Sequence, residues 1–203
     1  MQPFTRVVGP AAPFLLSNVD TDVIVRIERL AELKASELGP YAFESIRYRP
    51  DGTENPEFVL NQSAFRGTPI LIAGANFGCG SSREAAVWAL KGMGLRVIVA
   101  ESFGDIFSAN CFQNGVLPIV LPGETVEALA EAARGGRAFE VDLRAQEILT
   151  SQQMAVPFQI DPQRREALLE GLDEIDRTLK RDVDIVAWQA RDKAARPWVW
   201  QLV

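Results

Sequence analysis

The most regular pattern along the chain is a set of short apolar runs separated by amphipathic or small-residue stretches. "TPILIAG" (68–74), "RVIVAES" (96–102) and "VLPIVL" (116–121) are too short for helices and show no polar alternation. Each predicts a strand buried on both faces. "SSREAAVWALKGMG" (81–94) and "FGDIFSANCFQNG" (103–115) lie between them and close on glycine, which predicts two helices. A third follows Pro122, where "ETVEALAEAAR" puts Val126, Leu129, Ala130 and Ala133 on one face. Strands alternating with helices predict a parallel sheet with crossover helices.

The flanks are less regular. "TRVVGPAAPFLL" (5–16) predicts a strand, a turn and a second strand, and "SNVDTDVIV" (17–25) a polar turn entering a buried strand at Val23. Residues 26–38 read as a short helix or irregular lid, and the Pro-Asp-Gly of "RYRPDGTENPEFVLN" (47–61) as a sharp reversal in an excursion from the core. "FEVDLRAQEILT" and "AVPFQI" predict a strand pair, and "DPQRREALLEGL" and "DVDIVAWQARDKAAR" two closing helices. The reading is one α/β domain over 1–203, with a lid at about 26–56 and a helical tail at about 162–203.

Composition narrows the function. The 203 residues carry a formal net charge of −6, with 47% hydrophobic and 24% charged positions, an ordinary globular balance. An acidic chain lacks the clustered Lys and Arg of a nucleic-acid binder. No apolar run approaches the roughly 20 residues of a membrane span. The N-terminus has no basic region followed by a continuous apolar one, so no secretory leader is expected. Two cysteines, Cys79 and Cys111, suit reduced thiols in the cytoplasm. Cys79, a lone thiol without a basic partner, reads as inert.

Histidine is absent altogether, which excludes Ser-His-Asp triads, Cys-His dyads and histidine metal ligands. An iron–sulfur site generally needs about three or four cysteines, so any cluster used by this protein must be held mostly or wholly by another chain.

"NFGCGSSRE" (76–84) is the densest chemical stretch. It fails as a Walker A loop for want of the lysine, and as a dinucleotide fingerprint for want of the third glycine. Ser81 followed by Glu84 fits a capping box. The same helix start would also offer free N–H groups to an anion. Arg83 in the first turn would oppose the helix dipole, which favours a carboxylate ligand for its fork of donors. Gly78 and Gly80 would let backbone approach that ligand. Asp20, Thr21 and Asp22 read either as an Asx turn or as carboxylates orienting a substrate. Their Asp-x-Asp spacing is too sparse to predict a bound metal.

Taken in order, "NVDTDVI", "NPEFVLN", "ILIAGANFGCGSSRE", "WAL", "ESFGDIFSANCFQNGVLPI", "VDLRAQE" and "GLDEI" resemble the small subunits of 3-isopropylmalate dehydratase, in the aconitase superfamily. The resemblance covers about residues 7–180 and is most specific where "NFGCGSSRE" joins "FGDIFSANCFQNGVLP". It implies the swivelling β/β/α domain of that superfamily, a central largely parallel sheet with flanking helices. It also implies a larger partner subunit that carries a [4Fe-4S] cluster and supplies histidines, with no cofactor bound by this chain. The implied reaction is dehydration of 2-isopropylmalate and rehydration to 3-isopropylmalate in leucine biosynthesis, on a small dicarboxylic or tricarboxylic hydroxy acid.

Residue by residue, the resemblance makes Ser81 the base that removes the proton alpha to a carboxylate. Arg83 becomes the carboxylate fork and Ser82 a nearby donor, with Gly80 in the same loop. Asp20, Thr21 and Asp22 line the cleft, and residues 26–34, beginning at Arg26, fall on a substrate-recognition loop. Three departures stand out. Ala85, Ala86, Val87 and Trp88 replace the family's usual His-Ala-Pro-Trp, Arg26 and Ile27 its Pro-Lys, and Asp176 a glycine. They admit a paralogue acting on dimethylmalate, citramalate or homocitrate. A non-catalytic module holding an acidic ligand on the same fold is the reading from a different class.

Overall fold

The computed structural model describes residues 1–201. Its first strand, β1 (Arg6–Phe14), takes the centre of the sheet and is followed by three short helices, α1 (Thr21–Ile24), α2 (Ile27–Glu32) and α3 (Glu44–Arg47). Then come β2 (Ile70–Ala73), α4 (Glu84–Gly92), β3 (Val97–Ala100), α5 (Asp105–Asn114), β4 (Leu117–Val120) and α6 (Gly123–Ala133). Three further strands, β5 (Ala138–Asp142), β6 (Glu147–Thr150) and β7 (Ala155–Pro157), precede helices α7 (Pro162–Glu170), α8 (Glu174–Leu179) and α9 (Asp182–Ala195).

Among the described residues, seven strands form one sheet in the order β4-β3-β2-β1-β5-β6-β7. The pairs within β4-β3-β2-β1 are parallel, as the alternation of elements predicts, and those from β1 through β5 and β6 to β7 are antiparallel. The predicted break in residues 5–16 is not a turn. Arg6–Pro10 pair antiparallel with β5 and Ala11–Phe14 pair parallel with β2, so one strand changes partner at Pro10. Proline has no N–H to give a ladder, and here it sits at the handover. Two more expectations need correction. Residues 23–25 do not form a strand, because the Asp20 side chain caps the helical turn α1. "FEVDLRAQEILT" is not one strand of a pair but the hairpin β5–β6, with Gln146 at positive φ between its arms.

Strand alternation divides the core. Leu71, Ala73, Ile98 and Ala100 face α4 and α5, while Ile70, Ile72, Val97, Val99, Leu117 and Ile119 face α6, β5, β6 and α7. The segment between α1 and β2 is anchored on the first of these faces. Phe43 and Phe58 pack edge-on or tilted with Phe14 at ring separations of 5.3–5.7 Å, and Leu38 and Ala42 are fully buried. By contrast, α8 and α9 bury no residue. Their apolar side chains Ile175, Leu179, Val183 and Val186 stay exposed.

Candidate active site

The loops that leave the carboxyl ends of β1, β2 and β3 are stitched together, at the end of a parallel sheet where ligands commonly bind. Asn18 and Asn76 both take positive φ, a conformation asparagine tolerates better than most residues. The Asn18 amide donates to the Ala75 carbonyl at 2.8 Å, and the Asn76 side-chain amide donates to Asn18 Oδ1 at 2.8 Å. The Asn76 backbone N–H donates to Ser102 Oγ at 2.8 Å, tying in the loop after β3. Sequence reasoning did not single out Asn18, Asn76 or Ser102. Their signal was two asparagines and a serine placed immediately after apolar strands.

Glycines set the next four residues. Gly78, at φ +72°, lies over the Phe107 ring, where a side chain would overlap ring carbons. Gly80, at φ +87°, lies against Asp20, whose Cγ would be 2.6 Å from an added Cβ. Between them Cys79 bridges to Asp20, its carbonyl accepting the Thr21 N–H at 2.9 Å. The buried Thr21 hydroxyl donates to the Ser81 carbonyl at 2.9 Å. Arg83 Nη1 donates to Asp22 Oδ1 in an ion pair, its side chain 15% exposed against 52% for the aspartate. The structure therefore brings Asp20, Thr21, Asp22, Gly80, Ser81 and Arg83 into one cluster, with Ser82 exposed on the same loop.

The expected Ser81–Glu84 capping box is absent. The helix begins at Glu84 with Arg83 as its N-cap and no side-chain cap bond. Instead Glu84 Oε1 accepts the side-chain amide of Asn114 at 2.8 Å. Arg83 consequently stands outside the first turn, and the Asp22 carboxylate accounts for a cation at that end. Among the described residues, the amides of Gly80, Ser81, Ser82 and Arg83 donate to no protein acceptor, which leaves a run of N–H groups for an anion.

Arg26 lies apart from this cluster in its bonding. It pairs with Glu28 at 3.2 Å, which raises the arginine's pKa and helps lower that of the glutamate. Behind it, Arg29 clasps Glu44 through two bonds of 2.9 and 2.5 Å and covers the Tyr41 ring at 4.3 Å. The clasp holds the Glu44 carboxyl below its ordinary value. Arg26, Tyr41, Glu44 and Arg49 border an open groove of about 640 Å³. Both cysteines are free thiols, and burial pushes that of Cys111 well up.

Residues 1–124 match the aconitase C-terminal domain. Over 201 residues the chain is 50% identical to the 3-isopropylmalate dehydratase small subunit of Cereibacter sphaeroides, covering 98% of this chain and 100% of that one. This chain belongs to the 3-isopropylmalate dehydratase small-subunit family. Another member, from Rhodospirillum centenum, is 49% identical over 200 residues, with 98% of each chain covered. In structure, the family chain resembles the crystal structure of 3-isopropylmalate dehydratase (leuD) from Methanocaldococcus jannaschii, with a TM-score of 0.67 at 26% identity, covering 90% of this chain and 98% of that one. Among the described residues no three His, Cys, Asp or Glu side chains converge as metal ligands. Nor is any helix among them long and apolar enough to cross a membrane.

Proposed function

We propose that this chain is the small subunit of a cytoplasmic hydro-lyase that isomerises 2-isopropylmalate to 3-isopropylmalate in leucine biosynthesis. The observation that carries the reading is the Arg83 guanidinium, held at Nη1 by Asp22 beside the unused amides of Gly80–Arg83. Fixed at one nitrogen, the fork keeps its remaining donors for a substrate carboxylate. As its alkoxide, Ser81 then takes the proton from the carbon next to that carboxylate and returns it on rehydration. The hydroxyl that leaves would be taken up on the partner subunit's side of the cleft. Serine is a poor base at its free pKa, and the amides around it offset the charge that develops on its oxygen. Ser82 adds a donor. Asp20 and Thr21 hold the loop in place.

The [4Fe-4S] cluster that the family resemblance implies belongs to a larger partner subunit, since the residues present here do not fit it. The reading assigns residues 26–56 as the lid of one swivelling domain, with 26–34 recognising the substrate's alkyl group. Two of the three departures from the family pattern bear on this unequally. Ala85, Ala86 and Val87 are buried in the packing of α4, so they concern the core. Arg26 is exposed at the start of α2, and it is the departure through which a different alkylmalate would be preferred.

Co-expression with a large subunit and a panel of alkylmalates ranked by kcat/KM tests the assignment. The 2-isopropylmalate should rank first, and Ser81→Ala should remove turnover in an assembly that still forms. Undiminished turnover in that variant overturns the role of Ser81.

A further inference from the structure

The unformed cap at Ser81 has a cause in the structure. The glutamate of the box is engaged elsewhere, and the serine's carbonyl is held away from helical pairing. Thr21 binds the Ser81 carbonyl, and Asn114 binds the Glu84 carboxylate. Asn114 ends α5 and reaches three residues along one side of α4. Its side-chain amide donates to Glu84, its Oδ1 accepts Trp88 Nε1 at 3.1 Å, and its backbone carbonyl accepts Lys91 Nζ at 2.9 Å. The same amide also donates to the Asn110 carbonyl at 2.9 Å, so its orientation is fixed from within α5.

From this arrangement we infer that Asn114 is a positioning residue for Ser81: it diverts Glu84 and so keeps the serine uncapped. A serine three residues before a glutamate closes the box readily when both are free. Closure would turn the Ser81 oxygen into an acceptor for the helix and consume the Ser81 N–H. The oxygen that serves as base would then be occupied, and one of the four free amides lost. Asn114 prevents this without touching substrate. The inference rests on the proposed role of Ser81, and deepens it.

Asn114→Asp is the discriminating variant. It retains an acceptor for Trp88 but withdraws the donor and repels Glu84. Measured with the assembled two-subunit enzyme, it should lower kcat on the order of 10²-fold, the scale of misplacing a catalytic group, with little change in KM. In the isolated chain, hydrogen exchange at the Ser81 and Glu84 amides should slow as the box closes. Glu84→Ala alone should keep turnover. The double variant Asn114→Asp/Glu84→Ala should recover most of the lost kcat, because alanine cannot complete the box. A merely structural role would leave the double variant as slow as Asn114→Asp or slower, and that result overturns the inference. So does unchanged exchange at Ser81 and Glu84. Turnover surviving Ser81→Ala would overturn the reading beneath it, whereas the exchange measurement tests the diversion of Glu84 by itself.

Discussion

Asp22 and Arg83, 61 positions apart in the chain, are joined by an ion pair that places the guanidinium beside the free amides of the glycine loop. The aspartate is half exposed, so the pair contributes little to global stability. Its consequence is orientation. Asp22→Asn should raise KM for the hydroxy acid about tenfold, equivalent to about 1.4 kcal/mol of binding, with a smaller change in kcat. Steady-state kinetics and a melting curve on the same preparation check it. A large loss of Tm with KM unchanged would make the pair structural.

The approach of Gly80 to Asp20 leads to a different outcome. At φ +87°, with Asp20 Cγ 2.6 Å from a built Cβ, Gly80→Ala meets both backbone strain and overlap. The expected cost is about 1–3 kcal/mol, seen as a lower Tm together with lost turnover. Gly52 is the control. Its φ is +82° but nothing lies within 4 Å of an added Cβ, so Gly52→Ala should lose some stability and keep activity.

The Arg29–Glu44 clasp makes the segment from α2 to α3 sensitive to acid. Glu44 titrates below its ordinary value chiefly because Arg29 donates to it. Its contribution is therefore complete above the unfolded carboxyl pKa of about 4.3 and is lost as pH falls through the lower folded value. Hydrogen exchange over residues 27–47 should quicken below that pH in the native chain. In Glu44→Gln it should already be quick at neutral pH, with less further change on acidification.

Much of the fold could be read from the chain because its signals are local. β2, β3 and β4 follow from apolar runs, and α4, α5 and α6 from spacing and terminal glycines. Failures came where distant residues decide. Pro10 looks like a turn until β2 and β5 are known to flank it on opposite sides. The strand expected at Val23–Val25 is a separate case, decided locally, where the neighbouring Asp20 caps a helical turn that the apolar run conceals. At the candidate site the residue types were legible and the partnerships were not. Thr21 meets Ser81 across 60 positions and Asn114 meets Glu84 across 30, and these contacts override a strong local cap. The helix α8 was missed because its signal, an Asp173–Asp176 capping box, precedes only a few residues and no buried face.

The two thiols should behave differently toward an alkylating reagent. Cys111 is fully buried and its thiol is held protonated by that burial, so it should stay unmodified until the chain unfolds. Cys79 is partly exposed between Gly78 and Gly80. An adduct there would displace the loop, so labelling of Cys79 and loss of isomerisation should proceed at one rate. Mass spectrometry against residual activity measures both, and equal labelling of the two cysteines in the folded chain would contradict the packing around α5.

Thr21 offers the most direct control over how far α4 extends. Its side chain is 2% exposed, and its hydroxyl donates at 2.9 Å to the Ser81 carbonyl. Thr21→Val keeps the shape and removes the donor. The Ser81 carbonyl is then free to accept the Ala85 N–H, the partner that helical geometry gives it four residues on. The hydroxyl's bond contributes about 1 kcal/mol, so Tm should fall by roughly 2–4 °C. Turnover should fall further than so small a stability loss explains, about tenfold in kcat. Exchange at the Ala85 amide should slow at the same time. Thr21→Ser, which restores the donor at the cost of a methyl group, should recover most of the rate. If Thr21→Val melts lower but turns over normally, the hydroxyl serves packing alone and the position of Ser81 is set by Gly80 and Asn114.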